Sequence, residues 1–138
     1  MLTELIDGLI IGGWHDARNA SCNATARGDE LYIVTVAADS EFIGHECFHL
    51  VDGPGNSPTE FRAAVEAVCR ARRAGKRVLV HCVGGRSRSA AVIVAAATVL
   101  TGRPLCDVYD ELLRKHDCTG HGARIHPHLA AMLLEYEV

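Results

Sequence analysis

Two apolar runs, Arg77-Val78-Leu79-Val80 and Ala90-Ala91-Val92-Ile93-Val94-Ala95-Ala96-Ala97, flank a segment that fits neither, His81-Cys82-Val83-Gly84-Gly85-Arg86-Ser87-Arg88-Ser89. The first run reads as a short buried strand. The second is apolar almost all round and too short to span a bilayer, so it reads as a buried central helix. A loop between a strand's end and a helix's start turns successive backbone N–H groups toward one point, where the helix dipole also favours negative charge. That point suits a phosphate. The same field favours Cys82 as a thiolate, the nucleophilic form of a cysteine.

Each position of the segment has a task under this reading. Cys82 attacks phosphorus and holds the phosphoryl group covalently, splitting one difficult displacement into two easier ones. Arg88 offers a planar fork of donors that binds two phosphate oxygens at once. Gly84 and Gly85 lack a side chain, so the backbone there can take positive φ angles and approach the ligand closely. Val83, Ser87 and Arg86 complete the loop, and Arg86 projects toward substrate as a second cation or pairs with a surface carboxylate. Ser89 hydrogen-bonds the Cys82 sulfur and eases its departure from phosphorus. His81 precedes the loop and is expected to orient it through its ring nitrogens rather than to act as a base.

These residues resemble the HC-x5-R-S signature of the cysteine-dependent protein tyrosine phosphatases, and the form HC-x-x-G-x-S-R-S is most similar to the dual-specificity branch. The resemblance extends to Leu9-Ile10-Ile11-Gly12-Gly13 with Asp16-Ala17 near the start, and to Arg124-Ile125-His126-Pro127 with Leu133 and Glu135 near the end. It implies a compact phosphatase domain over residues 1–138, resembling microbial or viral members, with an open site admitting phosphotyrosine, phosphoserine and phosphothreonine. It implies no cofactor and no metal. A loop of similar form, with an arginine before Ser-Arg-Ser, also occurs in relatives that act on phospholipid headgroups, which leaves a lipid phosphatase as one alternative and a non-catalytic phosphate-binding module as another. One departure stands out: such domains often carry Asn after the proline of the closing helix, where it supports the loop, and here His128 follows Pro127.

A general acid is needed for the leaving oxygen, and Asp52 is the candidate. It ends an apolar stretch, Cys47-Phe48-His49-Leu50-Val51, and opens a turn, Gly53-Pro54-Gly55-Asn56. That places it at a strand's C-terminal edge, the rim where α/β sheets bind ligands. Its spacing from Cys82 is similar to the family's, and the neighbouring glycines and proline are expected to let its loop move. Asp39, just after another strand candidate, is the second choice.

The remaining pattern alternates strands with helices. Leu9–Ile11, Leu31–Val36, Phe48–Val51 and 77–81 read as strands. Helices are expected from about His15 to Arg27, from Pro58, over 89–101, from Pro104 and from Pro127 to Tyr136. Ser57-Pro58-Thr59-Glu60 carries an N-cap, an N1 proline and a capping-box glutamate. The predicted fold is therefore a three-layer α/β/α domain with a mainly parallel sheet of four to five strands. A chain of 138 residues, 49% hydrophobic and 22% charged, has the composition of one globular domain. Its net charge of −3 argues against a nucleic-acid partner. Six cysteines without regular spacing, beside a reactive thiolate and an acidic rather than signal-like N-terminus, suggest a reducing cytoplasm. The chain is read as a monomer that acts on a phosphorylated protein or peptide.

Two clusters carry metal-ligand residue types, His45-Glu46-Cys47-Phe48-His49 and His116-Asp117-Cys118-Thr119-Gly120-His121. On a strand, His45, Cys47 and His49 would share one face. Neither cluster has a standard zinc spacing, and phosphocysteine chemistry needs no metal. Cys47 is a further candidate to form a disulfide with oxidised Cys82, although a buried small hydrophobe is the plainer reading.

Overall fold

The computed structural model describes residues 2–84, 87–117 and 125–137. Five strands, β1 (Thr3–Ile6), β2 (Leu9–Gly12), β3 (Leu31–Thr35), β4 (Glu46–Cys47) and β5 (Arg77–His81), form one sheet in the order β1-β2-β5-β3-β4. β5 is central and runs parallel to both neighbours, β2 and β3, and β4 continues the parallel set. β1, which the sequence pattern did not reveal, folds back antiparallel on β2 through a turn at Gly8, whose φ is +79°. Glycine suits that left-handed conformation because it has no Cβ to clash.

Side chains alternate between the two faces of each strand, and the helices divide accordingly. α1 (Trp14–Arg27) covers one face, packing Ala17 near Ile10, Ile33 and Leu79. The opposite face, with Leu9, Ile11, Val34, Val78 and Val80, carries the larger core. It is built by α2 (Pro58–Arg73), α3 (Arg88–Thr101), α4 (Leu105–Asp117) and α5 (Pro127–Leu133), the last followed by a short 3-10 turn at Leu134–Tyr136. α3 is buried from Arg88 through Thr98, so the expected central helix is present. Its alanines and valines let neighbouring helices approach closely. The result is the expected three-layer α/β/α arrangement. Among the described residues no helix is long and apolar enough to cross a membrane.

Three local expectations are corrected. Phe48–Val51 is not a strand; the strand is the two residues before it, Glu46–Cys47. Phe48 N–H still reaches the Thr35 carbonyl at 2.7 Å, but the next donors are captured elsewhere, His49 N–H by the Glu60 carboxylate at 2.9 Å and Leu50 N–H by the Phe48 carbonyl. The same bond alters the capping box. Ser57 Oγ does accept from Glu60 N–H, while the Glu60 side chain serves His49 instead of returning to the N-cap. Third, Gly84 does not have a positive φ, and among the described residues a Cβ added there would meet nothing within 4 Å. Gly85 and Arg86 lie outside the described residues.

Candidate active site

Cys82 follows β5 directly, and Ser89 stands in the first turn of α3. The strand–loop–helix path returns the chain on itself, which brings Ser89 Oγ to 3.2 Å from Cys82 Sγ, with both residues buried. Two loop carbonyls are anchored outward. Cys82 C=O accepts from His81 Nδ1 at 3.0 Å, and Val83 C=O accepts from Trp14 N–H at 3.2 Å. In a trans peptide the C=O and the following N–H point in opposite directions. The Val83 and Gly84 N–H groups are therefore turned away from those anchors, as a loop that gathers its donors on one side requires.

Gly13 makes the second anchor possible. A Cβ at this position would lie 2.9 Å from the Val83 carbonyl oxygen, closer than real Cβ contacts come. Gly13 belongs to the first motif of the resemblance, but its contact with the loop spans distant sequence and was not legible there.

His81 is buried, and burial pushes its pKa below the ordinary value, partly opposed by the bond to the Cys82 carbonyl. Its other ring nitrogen, Nε2, lies 2.7 Å from Thr35 Oγ1. Both ring nitrogens are thus engaged, one by the Cys82 peptide and one by β3. Ser87 is buried too, but its side chain does not cap α3; Oγ accepts from His126 N–H at 2.8 Å. That bond ties Ser87 to the backbone just before Pro127. His126 Nδ1 in turn accepts from His128 N–H and caps α5.

Arg88 is nearly buried. Its Nη1 donates to Asp39 Oδ1 at 2.6 Å and, at 3.4 Å, to the Leu50 carbonyl. Both contacts use one nitrogen of the fork. The hydrogen bond from Arg88 holds the Asp39 carboxyl below its ordinary range, against a smaller opposing effect of burial. Asp39, the second choice of acid, is thus engaged by the Arg88 guanidinium.

Asp52 sits exposed on a bend, two residues beyond Leu50, whose carbonyl Arg88 reaches. Asn56 clasps that turn: its Oδ1 accepts from Val51 N–H at 2.7 Å, and its Nδ2 donates to the carbonyls of Val51 and Gly53. This clasp was missed in the sequence, where Asn56 read only as a turn residue.

Of the metal-ligand clusters, the first has no continuous strand face. His45 Nδ1 is occupied by Ile33 N–H at 3.0 Å. In the second, His116 Nδ1 bonds Thr3 Oγ1, and 118–121 lie outside the described residues. Cys47 pairs with Thr35 in β3, whose other neighbour is His81, which puts it two strands away in the sheet. Burial, reinforced by the charge of Glu60, pushes its thiol pKa up.

Comparisons with known proteins bear on the family and the fold. The profile described as "Dual specificity phosphatase, catalytic domain" matches residues 39–110. Mouse dual specificity protein phosphatase 22 is 28% identical over 105 residues, covering 72% of this chain and 56% of its own length. The human protein of the same name is 27% identical with the same coverage. The chain thus spans about half the length of the curated relatives it matches. A crystal structure of a mouse protein described as a dual specificity phosphatase, complexed with zinc tungstate, has a TM-score of 0.81 at 25% identity, over 99% of this chain and 86% of that one. Human DUSP28, at 24% identity, shares the fold with a TM-score of 0.78 over 99% of this chain and 92% of its own. With that family model matching more than half of its length, the chain belongs to the dual specificity phosphatase catalytic domain family.

Proposed function

We propose that this chain is a cysteine-dependent phosphatase that hydrolyses phosphomonoesters of tyrosine and of serine or threonine in proteins, and that residues 1–138 form its single catalytic domain. The observation that carries this reading is the 3.2 Å approach of Ser89 Oγ to Cys82 Sγ at the base of a loop ending on the N-terminus of α3. A module that only bound phosphate would need neither a nucleophile nor a hydroxyl beside it.

In the first step the Cys82 thiolate attacks phosphorus, the ester P–O bond breaks, and Asp52 gives its proton to the leaving oxygen. Arg88 and the N–H groups of the 83–88 loop, Gly85 and Arg86 included, hold the equatorial oxygens in this reading. In the second step water attacks the phosphocysteine, Asp52 takes a proton from that water, and the S–P bond breaks. The Ser89 hydroxyl donates to the departing thiolate. The 3.0 Å bond from His81 steadies the Cys82 peptide throughout. Thiolate chemistry of this kind works in a reducing compartment, consistent with a cytoplasmic site of action. A phospholipid headgroup as substrate rests on Arg86, which is outside the described residues, so a phosphorylated protein is the favoured substrate.

The test is steady-state hydrolysis of a simple aryl phosphate by the reduced wild type and by Cys82→Ser. Turnover that the substitution abolishes supports the thiolate mechanism. An inert but folded and reduced wild type would move the reading to phosphate recognition without catalysis.

A further inference from the structure

Thr35 and His81 are direct partners in the parallel register of β3 and β5. Both are fully buried, and their side chains meet with Thr35 Oγ1 2.7 Å from His81 Nε2. The polarity of this contact follows from its surroundings. A carbonyl oxygen only accepts, so the 3.0 Å contact of His81 Nδ1 with the Cys82 carbonyl places the ring proton on Nδ1. In a neutral ring Nε2 then has only a lone pair, and Thr35 must donate to it. Burial keeps the ring neutral. The threonine oxygen retains lone pairs for a donor of its own, and Gly44 N–H supplies one at 2.8 Å.

Gly44 is there by necessity. A Cβ at this position would lie 2.4 Å from Ile33 Cγ2 and 2.7 Å from the Ile33 carbonyl oxygen, so only glycine brings its N–H this close to β3. The hydrogen bonds therefore run one way, from Gly44 N–H to Thr35, from Thr35 O–H to His81, and from His81 Nδ1–H to the Cys82 carbonyl. Reversing any one of them leaves a buried polar atom without a partner, which is costly in a dry interior.

We propose that Thr35 is a positioning residue for phosphoryl transfer: its hydroxyl sets the direction of the His81 hydrogen bonds and so, through the Cys82 carbonyl, aims the Val83 N–H at the phosphate. Thr35 touches neither substrate nor sulfur. It acts on the loop through the peptide plane that Cys82 C=O shares with Val83 N–H. The inference rests on the reading of this loop as a phosphate site.

The test compares wild type, Thr35→Val, which keeps the shape and loses the hydroxyl, and Thr35→Ser, which keeps the hydroxyl. Tungstate, a phosphate-shaped oxyanion, is titrated by calorimetry, which needs no turnover, and kcat and KM are measured with an aryl phosphate. The expected result is about a tenfold loss of tungstate affinity and a similar fall in kcat for Thr35→Val, with Thr35→Ser within about twofold of wild type. Tungstate binding and kcat unchanged in a folded Thr35→Val protein would overturn the proposal. So would equal losses in both variants, which would mark a packing role, or a wild type that does not bind tungstate. If Thr35→Val does not fold, Thr35→Ala carries the same comparison. A wild type that binds tungstate without Cys82-dependent turnover refutes the catalytic reading alone; the tungstate affinities then still support or overturn the role of Thr35.

Discussion

Arg88 Nη1 stands 2.6 Å from Asp39 Oδ1, an ion pair whose guanidinium side chain is 10% exposed and whose carboxylate is 67% exposed. The cation proposed to hold phosphate is thus already matched by a carboxylate. Two opposing effects follow: Asp39 holds Arg88 in place, and it repels the dianion that Arg88 attracts.

Asp39→Asn keeps an acceptor oxygen and removes the charge. Unit charges about 4 Å apart in water interact by about 1 kcal/mol, so inorganic phosphate is expected to bind about fivefold more tightly. Its constant as a competitive inhibitor measures this. Because the folded carboxyl is held below its ordinary range, the wild-type pair persists above that range. The pair is lost as pH falls through the lowered value, so the difference between the two proteins fades in acid.

Ser89→Ala removes the hydroxyl 3.2 Å from Cys82 Sγ. A hydrogen bond to a charged group is worth about 1.5–3 kcal/mol, which corresponds to a fall in kcat of about ten- to a hundredfold. The loss should fall on the second step. Stopped-flow mixing with an aryl phosphate is expected to give a burst of the aryl alcohol that wild type lacks.

Gly13→Ala and Gly84→Ala separate two glycines that look alike in sequence. The first drives a methyl group against the Val83 carbonyl and displaces the loop, with an expected loss in kcat/KM on the order of a hundredfold. The second meets none of the described residues and does not have a positive φ, so Gly84→Ala should melt as wild type does. Thermal unfolding beside the kinetics distinguishes the two outcomes.

His81 makes stability depend on pH. Unfolded, its ring takes up a proton below the ordinary value of 6.5, and burial in the folded chain delays that uptake to lower pH. Acidification from that value therefore favours the unfolded state, which binds more protons. Denaturant unfolding at pH 7.5 and at about pH 5.5 is expected to give a smaller free energy in acid, and His81→Asn should narrow the gap.

What the sequence revealed was local, and what it hid lay in register. Cys82, Ser89 and Arg88 were readable because one continuous strand–loop–helix segment carries them. Ser57 and Pro58 announced the start of α2 for the same reason. Thr35 gave no sign, since its meaning depends on lying opposite His81 across two strands far apart in the chain. The pairing of Asp39 with Arg88 was hidden likewise, and a carboxylate in the right region was ranked as a second acid. β1 escaped notice because Thr3-Glu4-Leu5-Ile6 is a half-exposed edge with little alternation. The Phe48–Val51 strand was misjudged because apolar content does not say where each N–H finds its partner.

The Asn56 clasp sets the tempo available to Asp52. Three bonds from one amide close the turn around Asp52, and the next link, Glu60 to His49, ties the entering segment to α2. An acid mounted on a hinged flap waits on a backbone swing of microseconds to milliseconds. An acid on a pinned turn reaches its target by side-chain rotation, within picoseconds to nanoseconds. With Asp52 as the proposed acid, turnover is expected to be insensitive to solvent viscosity, which measurement in added glycerol checks.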